Sequence, residues 1–218
     1  MTYTACMQKL SDSPSAKSSA NPSVPEAVRR LRLVSALNHD CGKSDVTDCV
    51  RESAAGCMYV YDDSGLGFTD WSETVPEFEA KCFRALNDGH VSLVLLPLDN
   101  RIVTGEAVKK GGVADCALLT EREMAFVEFK TNASTTGRIE SHDQKAVRQL
   151  WHTFADIIEP RCRQRKIDIK SKVSVEFYVV FDRDFDVTSA SASRQAAMTE
   201  FLMQHKLPLF FANEKKFE

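Results

Sequence analysis

Gly111-Gly112-Val113-Ala114-Asp115-Cys116-Ala117-Leu118-Leu119, followed after four residues by Met124-Ala125-Phe126-Val127-Glu128-Phe129-Lys130, is the stretch that decides how this chain reads. Both halves are apolar runs of strand length bounded by polar or turn residues. Side chains alternate along a strand, so Glu128 and Lys130 point the same way. They stand on a strand otherwise built of Met, Ala, Phe and Val. Charges on a covered strand are costly unless they are paired or hold a metal. A hairpin between the two strands brings the carboxylate of Asp115, just past two glycines, beside Glu128.

Moving outward, residues 91–98 form another nearly continuous apolar run, as a buried strand does. Downstream, Val147, Leu150, Trp151, Phe154 and Ile158 make the apolar stripe of a helix over 140–158, which Pro160 is expected to end. A strand over 173–181, a helix over 191–205 and a short strand over 207–212 follow. Upstream, Thr74-Val75-Pro76-Glu77 fits a capping box and predicts a helix to about residue 86, stopped at Asn87-Asp88-Gly89. A short strand over 57–61 and a helix over 25–38 precede it. Residues 11–23 are rich in Ser, Ala and Pro and read as a flexible tail. The expected organisation is a flexible tail (1–24), an N-terminal helical extension (25–69) and one α/β domain (70–218). From Thr74 the order is helix, three strands, helix, strand, helix, strand. That order predicts a mixed central β-sheet flanked by helices on both faces.

Bulk properties limit the partners. The 218 residues suit one domain with appendages. A net charge of −3 offers no global attraction for nucleic acid, so any such contact needs a local basic patch. No stretch approaches the roughly 20 apolar residues that span a bilayer, and no basic leader with an apolar run opens the chain, so no membrane association is expected and the cytoplasm is the expected compartment. The seven scattered cysteines are then reduced thiols. His39, Cys41, Cys49 and Cys57 lie close in sequence, but without the two close pairs usual for zinc they read as small buried side chains.

Asp115, Glu128 and Lys130 suit phosphodiester cleavage. Two carboxylates hold Mg²⁺, with Mn²⁺ as substitute, through hard oxygen ligands, and the backbone carbonyl of Phe129 is placed to be a further ligand. A nearby lysine positions the attacking water or neutralises developing charge. Arg163, Arg165 and Lys166, within a basic segment from Arg161 to Lys172, supply a phosphate-tracking surface.

An Asp, a gap of twelve residues and then Glu-x-Lys across two adjacent strands, in this element order, resembles the PD-(D/E)XK nuclease superfamily. The resemblance covers about residues 74–181. It implies a restriction endonuclease-like core, Asp115 and Glu128 as metal ligands, and Lys130 as the catalytic lysine. It also implies an acidic ligand from the preceding helix, for which Glu79 is favoured over Glu77, already used by the cap. The helix after the third strand then offers Gln144, Lys145, Arg148 and Gln149 to the nucleic acid. Ala114-Asp115 stands where the family has Pro-Asp. The function so implied is a Mg²⁺-dependent endo- or exonuclease, acting on DNA ahead of RNA, in phage defence or repair, as a homodimer or with a protein partner in a larger complex. The alternative is a non-catalytic subunit of the same fold that serves as scaffold or partner-binding protein.

Overall fold

The computed structural model describes residues 24–38, 45–105, 111–131, 136–184 and 191–218. Its apolar runs become the strands of two mixed sheets. The larger has six strands in the order β1 (Arg51–Ser53), β5 (Leu93–Pro97), β6 (Cys116–Leu119), β7 (Glu123–Phe129), β8 (Ser174–Val180) and β9 (Leu209–Phe211). The smaller runs β10 (Glu214–Lys216), β4 (Phe83–Leu86), β2 (Cys57–Asp63) and β3 (Phe68–Ser72). In the larger sheet β5, β6 and β7 are antiparallel, while β7, β8 and β9 are parallel. A parallel pair needs a long crossover. The segment between β7 and β8 supplies one, with α4 (Thr136–His152), a π-helical turn over Thr153–Ile158 and α5 (Glu159–Gln164).

The larger sheet is covered on both faces, which is why β5, β6 and most of β7 are buried without a polar alternation. One face, with Val94, Leu96, Ala117, Leu119, Phe126 and Phe177, packs on the helices. These include α1 (Glu26–Arg30), α2 (Leu33–Leu37), α3 (Val46–Cys49), α4 and α6 (Ser191–His205). The other face, with Leu95, Leu118, Ala125 and Val127, packs on Met58, Val60, Phe83 and Phe217 of the smaller sheet and its end. The mixed α/β class stands as expected. The flanking differs: helices cover one face and a second sheet covers the other.

Three local readings are corrected. No helix opens at Thr74. The Thr74 amide takes the Ser72 hydroxyl (3.1 Å), and after a single 3₁₀ turn, Glu79–Lys81, residues 83–86 bury Phe83 and Ala85 in the two-residue period of a strand. Pro160 does not end the long helix. It stands in the first turn of α5, directly after the π-helical turn, so its missing N–H falls where the hydrogen-bond register is already changing. The helix over 25–38 breaks in two at Arg32, whose φ of 52° is left-handed. Both Leu31 and Leu33 are thereby turned into the core.

The segment 25–69 is not an appendage. Strand β1 pairs with β5, β2 is central in the smaller sheet, and the boundary expected at 69/70 falls inside β3. The tail expected over 1–24 lies, but for Val24, outside the described residues.

Candidate active site

The hairpin β6–β7 pairs Cys116 with Val127, so one step further Asp115 stands opposite Glu128. Opposite residues in an antiparallel pair share a face. The Phe129 amide donates to Asp115 Oδ2 at 2.6 Å, holding the carboxylate against the hairpin. Lys130 follows directly on β7, and its own amide donates to the Val180 carbonyl at 2.7 Å. Its Nζ donates to Glu128 Oε1 and, at 3.3 Å, to Gln149 Oε1 of α4. The trio read from the sequence is therefore brought together at the end of β7, with Lys130 reaching α4 and Asp115 facing a cavity shared with β2 and β3.

Glu128 is 1 % exposed, and its Oε2 has no hydrogen-bond partner among the described residues. Burial pushes its carboxyl up to about 7, with Lys130 pulling the other way. Burial, and next the charge of Glu128, hold Asp115 well above the usual carboxylate range. Two further carboxylates stand nearby that sequence reasoning did not single out. Asp99 follows β5, and its Oδ1 is buried without a partner. Its carboxyl is raised, chiefly by burial. Asp62, near the end of β2, is raised by burial and then by its neighbour Asp63. Asp62, Asp63, Thr69, Asp99 and Asp115 line one cavity of about 180 Å³. Asp62, Asp99, Asp115 and Glu128 thus act on one another around Lys130. Asp62 reads in sequence as a turn residue. Asp99 follows the apolar run over 91–98 with nothing in sequence to single it out, and only the β5–β6 register, in which Leu98 and Asp99 amides donate to the Asp115 carbonyl at 2.9 and 3.3 Å, puts it beside Asp115.

Among the described residues, no group of three His, Cys, Asp or Glu side chains forms a ready-made metal cage. The donor set is instead two carboxylates with a neighbouring main chain, an arrangement in which water completes the shell of a hard cation. The orphaned Oε2 of Glu128 and the burial of both carboxylates fit such an ion, since a cation relieves the desolvation that now raises them. Glu79 does not join this group. It lies in the 3₁₀ turn and its carboxylate faces Arg183 at 3.1 Å and Arg84 at 4.0 Å, so the helix from which it was to reach the metal is absent.

The other expected contacts divide. Gln149 is buried (8 %) and turned inward, bridging Lys130 Nζ and, through Nε2 at 3.3 Å, the Val113 carbonyl. Gly112 packs against it with φ of 76°, and a Cβ there would stand 2.9 Å from the Gln149 side chain. Gln144, Lys145 and Arg148 line a groove of about 1090 Å³ between α4 and α6, together with Trp151 and His205, whose rings stack at 3.6 Å. Arg163, Arg165 and Lys166 are exposed at the end of α5 and beyond, and line neither cavity. Arg163 pairs with Glu159 at 3.3 Å. His39 and Cys41 lie outside the described residues, and Cys49 is a buried free thiol. No helix among the described residues is long and apolar enough to cross a membrane. Compared with protein-family models, curated proteins and solved structures, the chain finds no match in any of the three.

Proposed function

We propose that this chain is a Mg²⁺-dependent nuclease that hydrolyses phosphodiester bonds in DNA, with Mn²⁺ as substitute ion, on a restriction endonuclease-like core. The observation that carries the reading is the buried Glu128, with one oxygen unpartnered, opposite Asp115 and tied to Lys130. The antiparallel run β5-β6-β7 with a helical crossover to a parallel β8 supports the proposed core. Asp115, Glu128 and the Phe129 carbonyl hold the ion. When bound, the ion neutralises charge on the phosphate and makes its water more acidic. Lys130, with a side chain 12 % exposed and paired with Glu128, orients the attacking water. Gln149 holds that lysine from behind. Gln144, Lys145 and Arg148 offer the flanking phosphates a local patch that the chain's net charge does not.

The setting that fits is cytoplasmic DNA defence or repair. One observation favours a partner: Leu202 and Met203 on the outer side of α6 are 50 % and 69 % exposed, as on a surface covered by a second copy or another protein. The reading as a non-catalytic subunit draws on that surface and on the chain's small size and net negative charge. The N-terminal helices give it nothing, since Val28, Leu31 and Leu37 are buried.

The deciding experiment incubates purified protein with plasmid, linear and single-stranded DNA, and with RNA, in Mg²⁺, Mn²⁺ or chelator, beside Asp115→Ala and Lys130→Ala. Metal-dependent cleavage lost in both variants establishes the nuclease. No cleavage of any substrate, together with no Mn²⁺ binding by calorimetry, hands the case to the non-catalytic subunit.

A further inference from the structure

We infer that Thr153 is a positioning residue for Asp115, acting through the backbone amide of Ala114; this rests on the reading of Asp115 as a metal ligand. The six-stranded sheet starts using β6 at Cys116. Ala114 and Asp115 therefore lie ahead of the regular ladder, and the Ala114 N–H needs another acceptor. Ala114 is fully buried, so solvent is no substitute. The acceptor is the Thr153 hydroxyl at 2.7 Å, from a side chain that is itself fully buried. The hydroxyl proton goes to the Gln149 carbonyl, also at 2.7 Å. Donation in that direction fixes the rotor and leaves a lone pair aimed at Ala114.

Thr153 opens the π-helical turn. Such turns interrupt the regular pairing of helix carbonyls, and here the Gln149 carbonyl is engaged by the Thr153 side chain. Gln149 is thus used at both ends. Its carbonyl orients Thr153, while its side chain bridges the Val113 carbonyl and Lys130. One turn of helix consequently registers the strand that bears Asp115 and Lys130 on the neighbouring strand. Downstream, the Asp115 carbonyl is held by the Leu98 amide at 2.9 Å. Upstream, the bond to Ala114 is the anchor. Without it the Ala114 amide is left unpaired in the core, and the backbone leading into Asp115 is held only by its neighbouring bonds, which loosens the spacing of two carboxylates that must share one ion. Partners bonded directly to a ligand typically change affinity by roughly 10- to 100-fold, and Thr153, one residue removed from Asp115, is expected at the lower end of that range.

The test compares wild type, Thr153→Val and Thr153→Ser by Mn²⁺ calorimetry, and measures deuterium uptake of a peptide covering residues 112–116 in the wild type with and without Mn²⁺. Valine keeps the shape and removes the hydroxyl, whereas serine keeps the hydroxyl. The valine variant should bind Mn²⁺ about tenfold or more weakly, serine should restore binding to near wild type, and Mn²⁺ should slow exchange at Ala114 in the wild type. Valine binding equal to wild type overturns the inference and leaves the metal site standing. If the valine variant does not fold, the wild type decides, and exchange at Ala114 unmoved by bound Mn²⁺ overturns it. Absence of Mn²⁺ binding by the wild type removes the metal reading of Asp115, and this inference with it.

Discussion

Replacing Asp115 by Asn removes a charge that burial and Glu128 both oppose while keeping an oxygen for the Phe129 amide. The sign of the effect follows from linkage. The folded carboxyl holds its proton more tightly than the unfolded one, so its contribution to stability is present in acid and is lost as pH rises. Without metal, Asp115→Asn should therefore melt above wild type at about pH 8, with the gap narrowing as pH falls and closing only toward about pH 4. Each kcal/mol gained appears as roughly 2–4 °C at this chain length. Saturating Mn²⁺ should raise the wild-type melting temperature and leave the variant in place. Glu128, pushed up to about 7, adds a second expectation. Protons compete with the ion below that value, so Mn²⁺ affinity by calorimetry should tighten as pH rises through it, with proton release on binding. A flat profile would mean that Glu128 is not a ligand. Asp115, Glu128 and Lys130 were legible in sequence because charge on an apolar strand is conspicuous. Asp62 and Asp99 were not, since acidic residues at turns and strand ends are ordinary, and only pairing across β5 and β6 makes them neighbours.

Gly112 joins an element to the site. Its φ of 76° and the close Gln149 side chain leave no room for a Cβ. Gly112→Ala should cost about 1–3 kcal/mol of stability in a denaturant titration. If the proposed roles hold, it should also lower cleavage at protein concentrations where the fold persists, because the displaced Gln149 is the one that steadies Lys130. An unchanged denaturation midpoint would show that the loop relaxes freely. The long helix was readable because its apolar stripe recurs over many turns. Its π-helical turn and its passage through Pro160 were not, since both depend on hydrogen bonds such as those of Thr153 rather than on periodicity. The capping box at Thr74 misled for the opposite reason. It is a signal four residues long, and it was outweighed by the burial of Phe83 and Ala85 on a strand pairing with β2. Asn87 was read as a helix stop. It is instead fully buried, donating to the Ala55 and Val91 carbonyls at 3.1 and 2.9 Å while accepting from the Val91 amide.

Across the whole molecule, the second sheet is what the sequence pattern concealed. Its strands alternate buried and partly exposed residues instead of forming apolar runs, and one of them, β10, joins from the far end of the chain, parallel to β4. A fragment beginning at residue 70 lacks β1, β2, part of β3 and helices α1 to α3, leaving both faces of the main sheet partly bare. It should show no cooperative thermal transition, and a sharp one would restore the boundary first expected there. Charge also acts at this scale. The chain is net negative, so if it binds DNA it does so through a few local cations. Binding followed by fluorescence anisotropy should weaken with salt along a shallow slope, and Arg148→Glu should reduce that slope by about one or two contacts.

Helix α6 forms one wall of the groove, yet among its described side chains only Arg194 and Phe201 are buried. Arg194 lies 3.8 Å over the Phe181 ring and pairs with Asp143 of α4 at 3.0 Å. Together with the His205 ring stacked on Trp151, these contacts hold a helix whose outer side is mostly exposed, and such a helix is expected to open at a lower energy than the sheets. Trypsin under native conditions should nick this helix while the strands stay intact, and if the proposed function holds, a groove whose wall opens in this way would admit a long polymer from the side, without a free end.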